Sequence, residues 1–267
     1  MAKSKTVNNI HAKMYIQAVY EARLREEGFL CPDEKLLCWY RVKENEVYDS
    51  VIFRTTWPRI PIMINILYET SPLFFAPFRT PSVNFFDRTD MRLDCRMRAG
   101  NLERGSINAA NMAPFSENIG VYAPAHGGRG IYTFDAVVLP ELNQMRTVEE
   151  CYLQHKNYHI KLHDISESNS PGRSRWFGSA SLEFIAEAVY LDDAEIYPYL
   201  RDRVEQGVEQ YRKLAFWNPN KKDTLRMLQE WELLKTALFD DGREEFLNAI
   251  EQRKDQTRKQ FIKWGIR

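Results

Sequence analysis

LLCWYRVKENEVYDSVIFRTTWPRIPIMINILY, residues 36–68, decides the fold. Leu36–Val42 and Val47–Arg54 are rich in Trp, Tyr, Val, Ile and Phe, side chains that suit a pleated, partly buried surface. Lys43-Glu44-Asn45-Glu46 between them reads as a hairpin turn. In Ile60–Tyr68, Ile60, Ile62, Ile64 and Ile66 alternate with Pro61, Met63, Asn65 and Leu67. Only one of these faces tolerates polar residues, so the strand is mostly buried. The segment therefore predicts three consecutive antiparallel strands.

Upstream, Val7–Glu27 has helical spacing, with Ile10, Met14, Ala18 and Ala22 four residues apart and Gly28 as the stop. Downstream, Glu69–Asn118 is punctuated by Pro72, Pro77, Pro81 and Pro114 and carries the turn-rich stretch Asn101–Asn118. So long a connection is expected to hold short strands, such as Ser82–Phe86 and Met91–Cys95. Ile119–Tyr122 and Ile131–Leu139 read as strands on either side of a glycine-rich turn. Thr147–Lys156 reads as a helix opened by a Thr147/Glu150 capping box, and Asn157–Ile165 as an alternating strand. After residue 180 the pattern is helical: Leu182–Tyr190, Ile196–Phe216, Thr224–Phe239, and a last helix capped by Asp241 and Glu244. The predicted class is α+β: an N-terminal helix, an antiparallel sheet of about five to seven strands, and C-terminal helices including a helical hairpin. Residues 1–217 are assigned to an α+β domain with an insertion at 69–118. Residues 218–267 form a helical hairpin that either packs on it or stands as a small appendage.

Composition narrows the function classes. The 267 residues carry 37 Lys+Arg against 37 Asp+Glu, and a balanced chain is not built mainly to grip phosphate backbones. The four cysteines, Cys31, Cys38, Cys95 and Cys151, form no C-x-x-C pair, so reduced thiols in a cytoplasm are expected. The first residues lack the apolar core of a signal peptide, and no apolar run approaches the ~20 residues of a membrane span. A cytoplasmic protein with no membrane partner is expected. Aromatic content is 13%; strands and helix stripes account for much of it, leaving Phe74, Phe75, Phe78, Phe85 and Phe86 concentrated in the insertion.

The feature order also carries a resemblance. A helix ending in Gly28-Phe29 leads to a Trp39-Tyr40-Arg41 strand, a turn, a Val51-Ile52-Phe53 strand and the buried Ile60–Tyr68 strand. Later come an Ile196-Tyr197-Pro198 helix start and a terminal helical pair, LLKTALFDDGREEFLNAIE. This resembles a group of small bacterial α+β domains of unknown function, some of which sit among toxin–immunity genes. The resemblance implies an immunity-like role and supplies no catalytic residues.

Three constellations carry residue types suited to chemistry or recognition. His155, His159 and His163 form H-x3-H-x3-H; on a helix they would line one face, where two at i,i+4 could bind a metal. The surrounding alternation instead places His159 and His163 on the solvated face of a strand, so neither metal nor cofactor is expected. Ala125–Tyr132 holds three glycines, His126 and Arg129 but precedes a strand rather than a helix, which suits a turn better than a phosphate cradle. Phe85, Phe86, Arg88, Arg92, Arg96 and Arg98 are the partner-binding candidates, because aromatic and arginine side chains on a long loop favour recognition. Glu183/Glu187 and Asp192/Asp193 read as helix-face and helix-start charges. The expected function is non-catalytic binding of another macromolecule, a protein before a nucleic acid, with an immunity-like inhibitor as its sharpest form. The alternatives are a hydrolase-type enzyme using histidines in a cleft under the 69–118 loop, and nucleic-acid binding through the arginines.

Overall fold

A computed structural model describes residues 16–32, 38–56, 63–77, 107–111, 134–169, 177 and 180–266. Strands β1 (Cys38–Val42), β2 (Val47–Thr56) and β3 (Met63–Pro72) form the antiparallel meander expected from residues 36–68. Trp39 lies opposite Val51, and Val51 opposite Tyr68. The Lys43–Glu46 turn closes with the Lys43 N–H donating to the Val47 carbonyl at 3.0 Å, and Asn45 and Glu46 take φ values of 52° and 63°. A short β4 (Ile107–Asn111) adds antiparallel to β3. The described sheet thus has four strands, not five to seven. The turn-rich stretch Asn101–Asn118 supplies β4, while Ser82–Phe86, Met91–Cys95 and Ile119–Tyr122 lie outside the described residues.

Two expected strands are helical. Phe134–Val138 is a π-helical turn that continues as an α-helix over Leu139–Gln144, together α2. Its buried residues Phe134, Val138, Leu139 and Leu142 have helical, not alternate, spacing. Asn157–Ile165 lies inside α3 (Val148–Asn169), which starts at the anticipated capping box. Thr147 Oγ1 accepts from the Glu150 N–H at 3.2 Å, and Glu150 Oε2 accepts from the Thr147 N–H at 3.1 Å.

The N-terminal helix α1 (Gln17–Glu21, π-helical, then Ala22–Glu26) ends at Gly28, whose φ is +81°. The Phe29 N–H donates to the Leu24 carbonyl and the Gly28 N–H to Arg25, the paired bonds of a Schellman stop. Its buried stripe is Ile16, Tyr20 and Leu24, offset from the Ala18/Ala22 stripe that spacing suggested.

Strand alternation sends successive side chains to opposite faces, and both faces are covered. Trp39, Val51 and Phe53 pack with Tyr20, Leu24, Phe134 and Leu142 of α1 and α2. Cys38, Tyr40, Tyr48 and Ile52 pack with Leu73, Phe261 and Ile266. This two-sided burial explains why apolar residues fall on both faces of the strands.

The remaining helices are α4 (Leu182–Leu191), α5 (Tyr197–Trp217), α6 (Lys222–Phe239) and α7 (Arg243–Lys263). Pro198 sits in the first turn of α5, where no hydrogen bond is lost. The N-cap of α7 is Gly242 and carries no side-chain cap, contrary to the Asp241/Glu244 expectation. These helices share a core that includes Leu200, Val204, Val208, Trp231, Leu234, Phe246 and Ile250. Phe74 and Phe75, left without a core role by the sequence, are buried in it. Among the described residues no helix is long and apolar enough to cross a membrane.

Candidate functional site

The partner-binding candidates Phe85, Phe86, Arg88, Arg92, Arg96 and Arg98 lie outside the described residues, as do His126 and Arg129. The three spaced histidines are described, and they stand on α3, not on a strand. Successive steps of four residues bring His155, His159 and His163 to one side of the helix.

That side faces the protein interior. His155 and His159 are 5% and 4% exposed, so they are core histidines and not solvated ones. His155 Nδ1 lies 2.6 Å from Glu187 Oε2 of α4, and Glu187 is fully buried. Glu187, expected to be a helix-face charge, is thus the partner that permits a polar ring inside the core. His159 packs against the Phe184 and Phe177 rings at 4.6 and 6.0 Å between centroids. Burial, reinforced by the neighbouring His155, pushes its pKa down to about 4. Next to them the Tyr152 hydroxyl donates to Asp193, which also pairs with Lys156. Burial and Asp193 push the Tyr152 phenol well above its ordinary range, while Lys156 and Tyr152 overcome burial to hold Asp193 below the usual carboxylate range. The set ties α3 to α4 and to the turn after it. Among the described residues no group of three His, Cys, Asp or Glu side chains is placed to hold a metal ion.

A second polar cluster forms where the β1–β2 hairpin meets α2. Asp49, fully buried, accepts from Arg41 at 2.6 Å, from Lys43 at 2.6 Å and from the Thr70 hydroxyl at 2.6 Å. Arg41 also donates to the Glu27 carbonyl and Asn143, and Lys43 to the carbonyls of Leu142 and Met145. Burial lowers the Lys43 pKa, and Asp49 opposes that effect. A cleft of ≈450 Å³ opens here, lined by Arg41, Lys43, Glu44, Asn45, Asn143 and Arg146. Its two innermost cations already hold internal acceptors, so the cleft is a braced corner more than an anion site. A second cleft of ≈300 Å³ lies between the Phe74–Pro77 turn and α4, α6 and α7. Neither cleft includes His155, His159 or Glu187.

The third feature is apolar and exposed. Phe216 and Trp217, the last two residues of α5, are 78% and 75% exposed, and their rings meet edge to face at 5.5 Å. Leu214 and Leu225 beside the same turn are partly exposed as well. The buried stripe of α5 runs through Leu200, Val204, Val208 and Tyr211 and its continuation falls at Ala215, so residues 216 and 217 point off it. This surface was missed from sequence. Its signal was two adjacent aromatics outside the stripe, followed by Asn218-Pro219-Asn220 and two lysines.

In the chain these rings are bracketed by five basic residues, Arg212, Lys213, Lys221, Lys222 and Arg226, with Asp223 as the one acid between 212 and 226; Arg226 lines the second cleft. Arg212 pairs with Glu232 at 2.9 Å and Lys213 with Glu209 at 2.5 Å. Lys221 and Lys222 have no ion pair among the described residues. No family model matches the chain, and no curated protein or solved structure matches it significantly.

Proposed function

We propose that this chain is a non-catalytic cytoplasmic protein that binds another protein, with an immunity-like inhibitor as the sharpest form of that role. The observation that carries it is the exposure of Phe216 and Trp217, two large rings held side by side in water at the end of a helix. Contiguous exposed apolar surface costs solubility and marks contact sites on soluble proteins. Two buried polar clusters point the same way. His155 is sealed against Glu187, and Asp49 is enclosed by Arg41, Lys43 and Thr70. A general base must reach a substrate proton, and neither group faces a described cleft in an uncommitted state.

The test is purification of the tagged chain from the cells that produce it, followed by size-exclusion chromatography and mass measurement. A stoichiometric complex with one protein is the expected result. Elution as a lone chain under conditions that keep it folded would sink the proposal.

A further inference from the structure

We infer that the α5–α6 turn is the docking surface of this protein, and that its occupant is an apolar pocket on the partner protein walled by carboxylates. The inference rests on the protein-binding role proposed above and names the surface and the partner's chemistry. Phe216 and Trp217 supply the apolar anchor, since tryptophan and other aromatics at the centre of an interface carry a large share of binding energy. Lys221 and Lys222 supply the electrostatic half. They follow the rings across the turn, where the Lys221 N–H donates to the Asn218 carbonyl at 3.1 Å, have no internal ion pair among the described residues, and raise local positive potential on a chain whose net charge is zero.

Two other occupants fit less well. An anionic lipid surface returns only about 1 kcal/mol per basic residue. Two of the five cations here are already paired with Glu232 and Glu209, and Arg226 lies 3.9 Å from Asp223. Two unpaired lysines and two rings fall short of the paired signals that stable membrane anchoring takes. Single-stranded nucleic acid is bound along a basic groove lined with stacking rings. Here the rings cap the end of a helix, and their edge-to-face contact offers no parallel platform for successive bases. Two exposed rings at a helix end, followed by two unpaired lysines, match an apolar pocket bordered by carboxylates.

The test uses the full chain in its producing cells, with the photoreactive amino acid p-benzoylphenylalanine placed at position 217 and, as control, at the exposed Asp164 of α3. Position 217 is expected to cross-link to one protein and position 164 to none. Sequencing the linked peptide should place it at an apolar site bordered by Asp or Glu. With the purified pair, W217A should weaken binding roughly thirty-fold, the equivalent of a hot-spot residue. K221E/K222E should slow association, as should added salt acting on the native chain. Retention of the complex by both W217A and K221E/K222E would overturn the docking surface while leaving the protein-binding role standing. Cross-linking to lipid or nucleic acid would overturn the occupant, and the lack of any complex would overturn both. Since residue 217 is largely exposed, W217A should unfold at the same temperature as the native chain, which separates lost binding from lost folding.

Discussion

Gly207 shows what a single missing side chain does in this fold. It faces Trp231 across the α5–α6 contact, and a Cβ at position 207 would come within 2.5 Å of Trp231 Cε3. Trp231 is fully buried, with the Arg203 guanidinium 4.7 Å from its ring, so it has no room to retreat. In an exposed helix, Gly→Ala gains about 1 kcal/mol of helix propensity. Here the overlap reverses the sign, and G207A should destabilise the chain by about 1–3 kcal/mol, read as a lower urea midpoint at unchanged slope. His159 supplies a prediction in pH. Its ordinary pKa of 6.5 falls to about 4 on folding, so the fold requires the neutral ring. The folded-state pKa is depressed, so the stability is complete above pH ~6.5 and drains away as pH falls towards 4. The full shift corresponds to about 3 kcal/mol. H159Q should flatten that acid limb in a series of urea titrations between pH 7 and 4. An acid limb as steep as the native one would show that the ring is not held neutral.

At the scale of elements, capping and buried polar ties decide where helices begin and where they dock. T147A should remove the Glu150 N–H acceptor and cost about 1 kcal/mol, measured by thermal unfolding. Lys254 ties α7 to the β1–β2 turn. Its side chain is 2% exposed and donates to Glu46 at 2.6 Å, Tyr190 at 2.9 Å and Glu251 at 2.7 Å. Glu46, whose positive φ is costly for a residue with a side chain, is held in place by Lys254 and Arg258. Burial alone would lower the Lys254 pKa, but the three acceptors outweigh it and hold it above the usual lysine range. K254A should therefore cost about 2 kcal/mol or more across neutral pH, and K254M less, because the methylene stem still fills the site. The same elements show what the sequence could disclose. β1 to β3, Gly28, the Thr147 cap and Pro198 were legible because each depends on local chemistry. The second half of α3 was not. The buried face of α3 contains His155 and His159, which a hydropathy pattern scores as polar, so the alternation of Tyr158, Ile160 and Leu162 with His159, Lys161 and His163 mimicked a strand. Glu187, 32 residues away from His155, is the partner that lets His155 be buried there, and no local window contains it. The exposed rings at 216–217 lie at the end of the Ile196–Phe216 helix and off its apolar stripe, so neither a core nor a site reading reached them.

On the scale of the whole molecule, α7 connects two cores. Its first half places Phe246 and Ile250 among α4, α5 and α6, while Phe261 packs on Tyr48 at 5.0 Å and Tyr40 at 5.8 Å between ring centroids. Ile266 and Trp264 extend the same contact beneath the sheet. A helix that buries one end in each core couples their stabilities, because losing either set of contacts leaves a large apolar stripe of α7 in water. Unfolding should therefore be a single transition. Far-UV circular dichroism follows mainly the helices, and fluorescence follows all six tryptophans, among them Trp39 on one face of the sheet, Trp264 beside Phe261 on the other and Trp231 in the helical core. The two signals should give coincident urea curves. Phe261→Ala empties a fully enclosed site and should cost about 3 kcal/mol. If the cores are coupled, F261A lowers both curves by the same amount, even though residue 261 touches only the sheet side. A fluorescence curve that split in two, with only its sheet-side component moving in F261A, would mean that the helical core survives the loss of the sheet contact and that α7 acts as a tether between independent units.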